Sequence, residues 1–127
     1  MTIYDASVIA ESNKFIGTEN YYKHTLCPII YTDGVKWLAE TLECYWLIDD
    51  MAIFSHKLRK SYDFLTITFT STAYNQGVLV FEDGNNQVLL RKKYAFCDLR
   101  TPTESIKFYL TQDGGFNKQV LLLPSEY

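Results

Sequence analysis

Two adjacent segments constrain this chain most: YTDGVKWLAETLE over 31–43 and CYWLIDDMAIFSHKLRK over 44–60. In the first, Val35, Leu38, Ala39 and Leu42 recur at the spacing of one helical stripe. In the second, Leu47, Met51, Phe54 and Leu58 share a face. Thr32 or Asp33 can cap the first helix, and Lys57, Arg59 and Lys60 suit the negative end of the second. Two amphipathic helices this close together need an apolar surface to cover.

The second half of the chain supplies one. FLTITFTST over 64–72 alternates Leu65, Ile67 and Phe69 with Thr66, Thr68 and Thr70, the pattern of a half-buried strand. VLVFE over 78–82 and QVLLRKKYAFC over 87–97 flank the hairpin signal Asp83-Gly84-Asn85-Asn86. Ile106, Phe108 and Leu110 alternate again, Asp113-Gly114-Gly115 turns, and QVLLL over 119–123 reads as a last strand. Upstream, residues 4–14 read as a short helix, and Thr18 as the cap of another through ENYYKHTL, stopped by Pro28. One helical turn is expected at 101–104. The expectation is an α+β domain spanning 1–127: helices over about 1–60, packed on one face of an antiparallel meander of about five strands over about 61–127.

Composition bounds function more weakly. The 127 residues carry a formal net charge of −3, which argues against direct nucleic-acid binding. The three cysteines, Cys27, Cys44 and Cys97, are odd in number and widely spaced, as in reduced cytoplasmic proteins. The start, MTIYDASVIAESNKF, lacks the pattern of a signal peptide, and no apolar stretch is long enough for a membrane helix. Aromatic residues make up 16% of the chain, a surplus that suits recognition as well as a core.

Chemistry is harder to find. There is no phosphate-binding glycine motif, nucleophile elbow or zinc-spaced Cys/His cluster, so no cofactor, metal or catalytic residue is assigned. Asp49, Asp50 and His56 lie on one helix, but Asp49 and His56 are two turns apart, too far for a direct hydrogen bond. Arg91-Lys92-Lys93 alternates faces on a strand and makes no single basic patch; it suits protection of a sheet edge. The binding candidates are Tyr21, Tyr22, Trp37, Tyr45, Trp46, Asp49 and Asp50: aromatics beside an acidic pair.

At YTDGVKWLAE, CYWLID and the terminal LLLPSEY, the chain resembles a family of small bacterial proteins known only as a domain of unknown function, associated with cyanobacteria, Bacteroidota and mobile elements. The resemblance rests on Thr32-Asp33-Gly34, on Tyr45-Trp46 with Leu47 and Asp49, and on Leu123 to Tyr127, and it runs from Gly17 to Tyr127. It carries no activity and no catalytic residue. The resulting expectation is a non-enzymatic, cytoplasmic protein-binding module. Its sharpest form is an inhibitor of a host defence complex encoded by a phage or mobile element, in the manner of an anti-CRISPR protein. Such a partner handles nucleic acid, and an acidic protein can occlude its basic channels. The alternatives are a small enzyme assembled from distant residues such as His24, Asp49 and His56, and a homodimer or larger homo-oligomer.

Overall fold

A computed structural model describes residues 2–3, 17–73, 76–97, 99–100, 105–113 and 118–127. Among the described residues, nine strands and two helices follow in order. They are β1 (Thr2–Ile3), β2 (Tyr21–Lys23), β3 (Ile29–Thr32), α1 (Asp33–Thr41), α2 (Tyr45–Leu58), β4 (Phe64–Ala73), β5 (Gln76–Glu82), β6 (Val88–Tyr94), β7 (Leu99–Arg100), β8 (Ile106–Asp113) and β9 (Lys118–Leu122). A 3-10 turn over Pro124–Glu126 follows β9. The expected helix over 4–14 and the helical turn at 101–104 lie outside the described residues.

The α+β class expected from the sequence is what forms. Its topology differs. The main sheet has seven strands in the order β2-β3-β9-β8-β4-β5-β6, and the β3–β9 pair is parallel. The two extra strands come from the part read as helical. ENYYKHTL is not a helix: Tyr21–Lys23 pairs antiparallel with Lys23's partner Ile30 and its neighbours up to Thr32. Thr18 caps no helix there; its hydroxyl donates to the Asn20 carbonyl at 2.7 Å and accepts the Asp33 N–H at 2.9 Å. A short segment without a helical stripe takes its backbone bonds from a neighbouring strand instead.

The helix pair forms as its stripes require. Thr32 caps α1, its hydroxyl accepting the Val35 N–H at 3.4 Å. The chain leaves α1 through Glu43 at φ 53°, a left-handed position that costs a side-chain-bearing residue. Cys44 N–H then donates back to Ala39 O at 2.9 Å. Val35, Leu38, Ala39 and Leu42 bury completely, with Leu47, Ile48, Met51 and Ala52. Phe54 and Leu58, expected on the buried stripe, are half-buried at the edge of that core.

The sheet meets them with Leu65, Ile67, Phe69, Leu79, Phe81, Ile106, Phe108 and Leu110, all at most 2% exposed. Register aligns Ile67 with Phe81 on one side and Phe108 on the other. Gly77 makes room for Phe69, whose Cζ would stand 2.7 Å from a Cβ at that position. On the opposite face a smaller cluster, Ile30, Val120 and Leu122, packs with Tyr109. The edge strand β6 carries Arg91, Lys92 and Lys93. No helix among the described residues is long and apolar enough to cross a membrane.

Candidate functional site

The start of α2 directs two neighbouring aromatics to different places. Consecutive helical residues diverge by roughly 100°, so Tyr45 and Trp46 cannot serve one surface. Each heads a separate group, and the sequence-derived candidates divide between them.

Tyr45 belongs to a tyrosine-rich surface built on β2, β3 and α1. Tyr22 and Tyr31 are register partners on adjacent strands, and their rings stack at 5.7 Å. Lys36 lies over the Tyr22 ring at 5.2 Å and pairs with Glu40 at 2.6 Å, one turn further along α1. The Tyr45 hydroxyl donates to the same Glu40 carboxylate at 3.1 Å. These bonds lower Glu40 below the usual carboxylate range, the Lys36 bond most, and the same bond raises Lys36.

Asp33 anchors the loop that precedes this surface. It accepts the N–H groups of Glu19 at 3.0 Å and Asn20 at 3.2 Å, and the Tyr22 hydroxyl at 2.9 Å. The Glu19 N–H above all holds its carboxyl below the usual value. The carboxylate in turn raises Tyr22. Burial raises Tyr31 and Tyr45. Three tyrosines are thus fixed by stacking or through their hydroxyls, and Tyr21 and Leu26 stand exposed on the adjoining chain.

His24 clamps that chain to α2. Its Nε2 lies 2.7 Å from Asp49 Oδ1. Its Nδ1 accepts the N–H groups of Leu26 at 3.2 Å and Cys27 at 3.1 Å. This network assigns the ring proton to Nε2, which donates to Asp49. Both ring nitrogens are in use, so the pair has no free nitrogen to act as a general base. His56 lies seven residues beyond Asp49 on α2, roughly 10 Å along the axis at about 1.5 Å per residue. Its buried Nδ1 meets no partner among the described residues. The grouping of His24, Asp49 and His56 into one reactive centre is therefore replaced by a pairwise structural clamp.

Trp46 and Asp50 share another side of α2. They flank Tyr94 at the end of β6: its hydroxyl donates to Asp50 Oδ2 at 2.5 Å, and its ring meets Trp46 edge-on at 5.3 Å and 70°. Burial, then the Asp50 bond, pushes the Tyr94 phenol well above its ordinary value. Trp46, Tyr94, Phe96 and Cys97 line a recess of about 210 Å³. Phe96 is 70% exposed at its rim.

The remaining candidate, Trp37, is half-buried against the main core. Cys44 is buried, which pushes its thiol up to about 12 and leaves it inert. No three His, Cys, Asp or Glu side chains gather as metal ligands among the described residues. Sequence reasoning missed Tyr31, Lys36, Glu40, Tyr94 and Phe96. The i, i+4 spacing of Lys36 and Glu40 was a readable signal; the others depend on strand pairing or on where β6 ends.

A family model described as "Family of unknown function (DUF6876)" matches residues 8–127, and the chain belongs to that family. No curated protein matches the chain. No solved structure matches it either.

Proposed function

We propose that this member of the family is a non-enzymatic protein-binding module whose contact surface is the tyrosine-rich face of β2, β3, α1 and the first turn of α2. The observation that carries this reading is the Tyr22–Tyr31 stack held under Lys36, with Tyr45 fixed on Glu40. Aromatic rings already locked in place lose little conformational freedom on binding. Tyr21, Leu26 and Tyr45 are 42%, 80% and 41% exposed, giving the face apolar contacts within a polar surround.

The finer proposal is a cytoplasmic inhibitor carried by a phage or mobile element. Its target is a nucleic-acid-handling host defence complex of the CRISPR type. The net charge of −3 and the 56% exposed side chain of Asp49 favour a basic partner surface. The alternative of a homo-oligomer has no comparable support, since the exposed edge β6 carries three consecutive cations.

Expression of the chain in a bacterium with active CRISPR interference tests the reading. Interference should fall, and Tyr45→Ala combined with Leu26→Ser should restore it without unfolding the protein. Full interference in the presence of the wild-type chain removes the inhibitor. A crosslinked partner profile identical for wild type and double variant removes the tyrosine face as the contact surface.

A further inference from the structure

The recess beside α2 is separate from the tyrosine face, and the geometry points to it as a binding site for an alkylated ammonium group. Trp46 and Tyr94, in edge-to-face contact at 70°, line it, and Phe96 stands at the rim. Three aromatic side chains border this one volume, and aromatic surroundings of that kind hold quaternary ammonium groups. Asp50 sets the sign: its carboxylate accepts a hydrogen bond from the Tyr94 hydroxyl at 2.5 Å, leaving negative charge beside the recess that repels anions.

Tyr94 already attracts a cation from its own chain. The Lys92 ammonium lies 5.7 Å from the centre of its ring. Size narrows the ligand further. A volume of about 210 Å³ falls below the roughly 300–1,000 Å³ of sites for whole drug-sized molecules, so it suits a single head group or side-chain end. Phe96 is 70% exposed although it is among the most apolar residues of the chain. A ring left in water at the mouth of an aromatic corner is available to close over such a group.

The test is a titration of the isotope-labelled full chain with choline at constant ionic strength, followed by the side-chain resonances. Saturable shifts are expected at Trp46, Tyr94 and Phe96, with the Trp37 indole unmoved. The uncharged carbon isostere of choline should bind about tenfold more weakly, because the contact is electrostatic. Phe96→Leu keeps the apolar volume, touches no buried contact and should weaken choline about fivefold. Asp50→Asn should weaken it in the same direction. An acetylated, amidated trimethyllysine separates the two sources: tighter binding than choline assigns the group to a partner's side chain, weaker binding to a free small molecule, and either supports the site. Equal binding of choline and its isostere overturns the proposal. So does the absence of any saturable shift with both cations, or an unchanged affinity in Phe96→Leu with the thermal midpoint preserved.

Discussion

Glu126 reaches back to Thr32 across most of the sequence: Glu126 Oε1 accepts the Thr32 hydroxyl at 2.6 Å. The same carboxylate accepts the N–H of Gly34 at 3.1 Å and of Leu123 at 2.9 Å. A side chain beyond the last strand thus completes the N-terminal cap of α1, placing negative charge at the positive end of the helix. Two of the three segments that carry the family resemblance, Thr32-Asp33-Gly34 and Leu123 to Tyr127, meet here. Gly34 is glycine for a steric reason. A Cβ there would stand 2.6 Å from Glu126 Oε1 and 2.8 Å from Leu123 Cδ1.

That contact predicts a coupled pair of variants. Glu126→Ala should cost about 1–3 kcal/mol, as loss of charge-assisted cap bonds does. Gly34→Ala should destabilise the wild-type chain despite the better helix propensity of alanine. In the Glu126→Ala background the same change should cost less, because half of the collision is gone. Urea denaturation of the four proteins measures the coupling, and strict additivity contradicts it.

Asp33 makes a prediction about acid. Its folded-state value is depressed from 3.8, so the stability it contributes is present above that value and is lost as the pH falls through the lower folded one. Asp33→Asn should be less stable than wild type at neutral pH, and the gap between them should close below about pH 4. Thermal midpoints across pH 2–7 read this directly. A constant gap would mean that the Glu19 and Asn20 bonds are indifferent to the charge.

Tyr94 predicts the opposite limb. Its folded-state value is raised, so its contribution is intact below the ordinary phenol value of about 10 and falls as the pH climbs above it. Tyr94→Phe should cost about 0.5–1.5 kcal/mol at neutral pH, as loss of one hydrogen bond does, and should flatten the decline in stability above pH ~10. An alkaline melt identical to wild type would show that neither burial nor the Asp50 bond raises this phenol.

The junction of the helices offers a gain. Glu43 sits at φ 53°. Glu43→Gly removes the penalty of a side chain in that region and should stabilise the chain by about 0.5–1 kcal/mol. Calorimetry decides it; a loss would mean that the glutamate side chain contributes more than the backbone strain costs.

The helix pair and the strands β4, β5, β6 and β8 were legible because each carries its own period: a helical stripe in Val35, Leu38 and Leu42, alternation in Leu65, Ile67 and Phe69. Tyr21–Lys23 and Ile29–Thr32 were not, since strands of three and four residues hold too little pattern to outweigh a plausible cap at Thr18. The candidate residues were legible as a set but not in their grouping. Asp50 reads as a solvated helix residue, yet it accepts the hydroxyl of Tyr94, 44 positions away. Likewise nothing near Asp49 in sequence announces His24 as its partner. Pairings of that kind are set by the order of the strands, which local periodicity does not encode.

That order also gives one strand a weight beyond its length. β9 sits between β3 and β8, so residues synthesised last among the strands occupy an interior position. Without β9 the β2–β3 hairpin has no strand neighbour in the four-stranded block from β8 to β6, and only the packing of the helices on that block joins the two. Each piece exposes an unpaired edge where β9 belongs, and an exposed edge invites pairing with other chains. Lys118–Leu122 is therefore the pin that closes the sheet, paired with β3 on one side and β8 on the other.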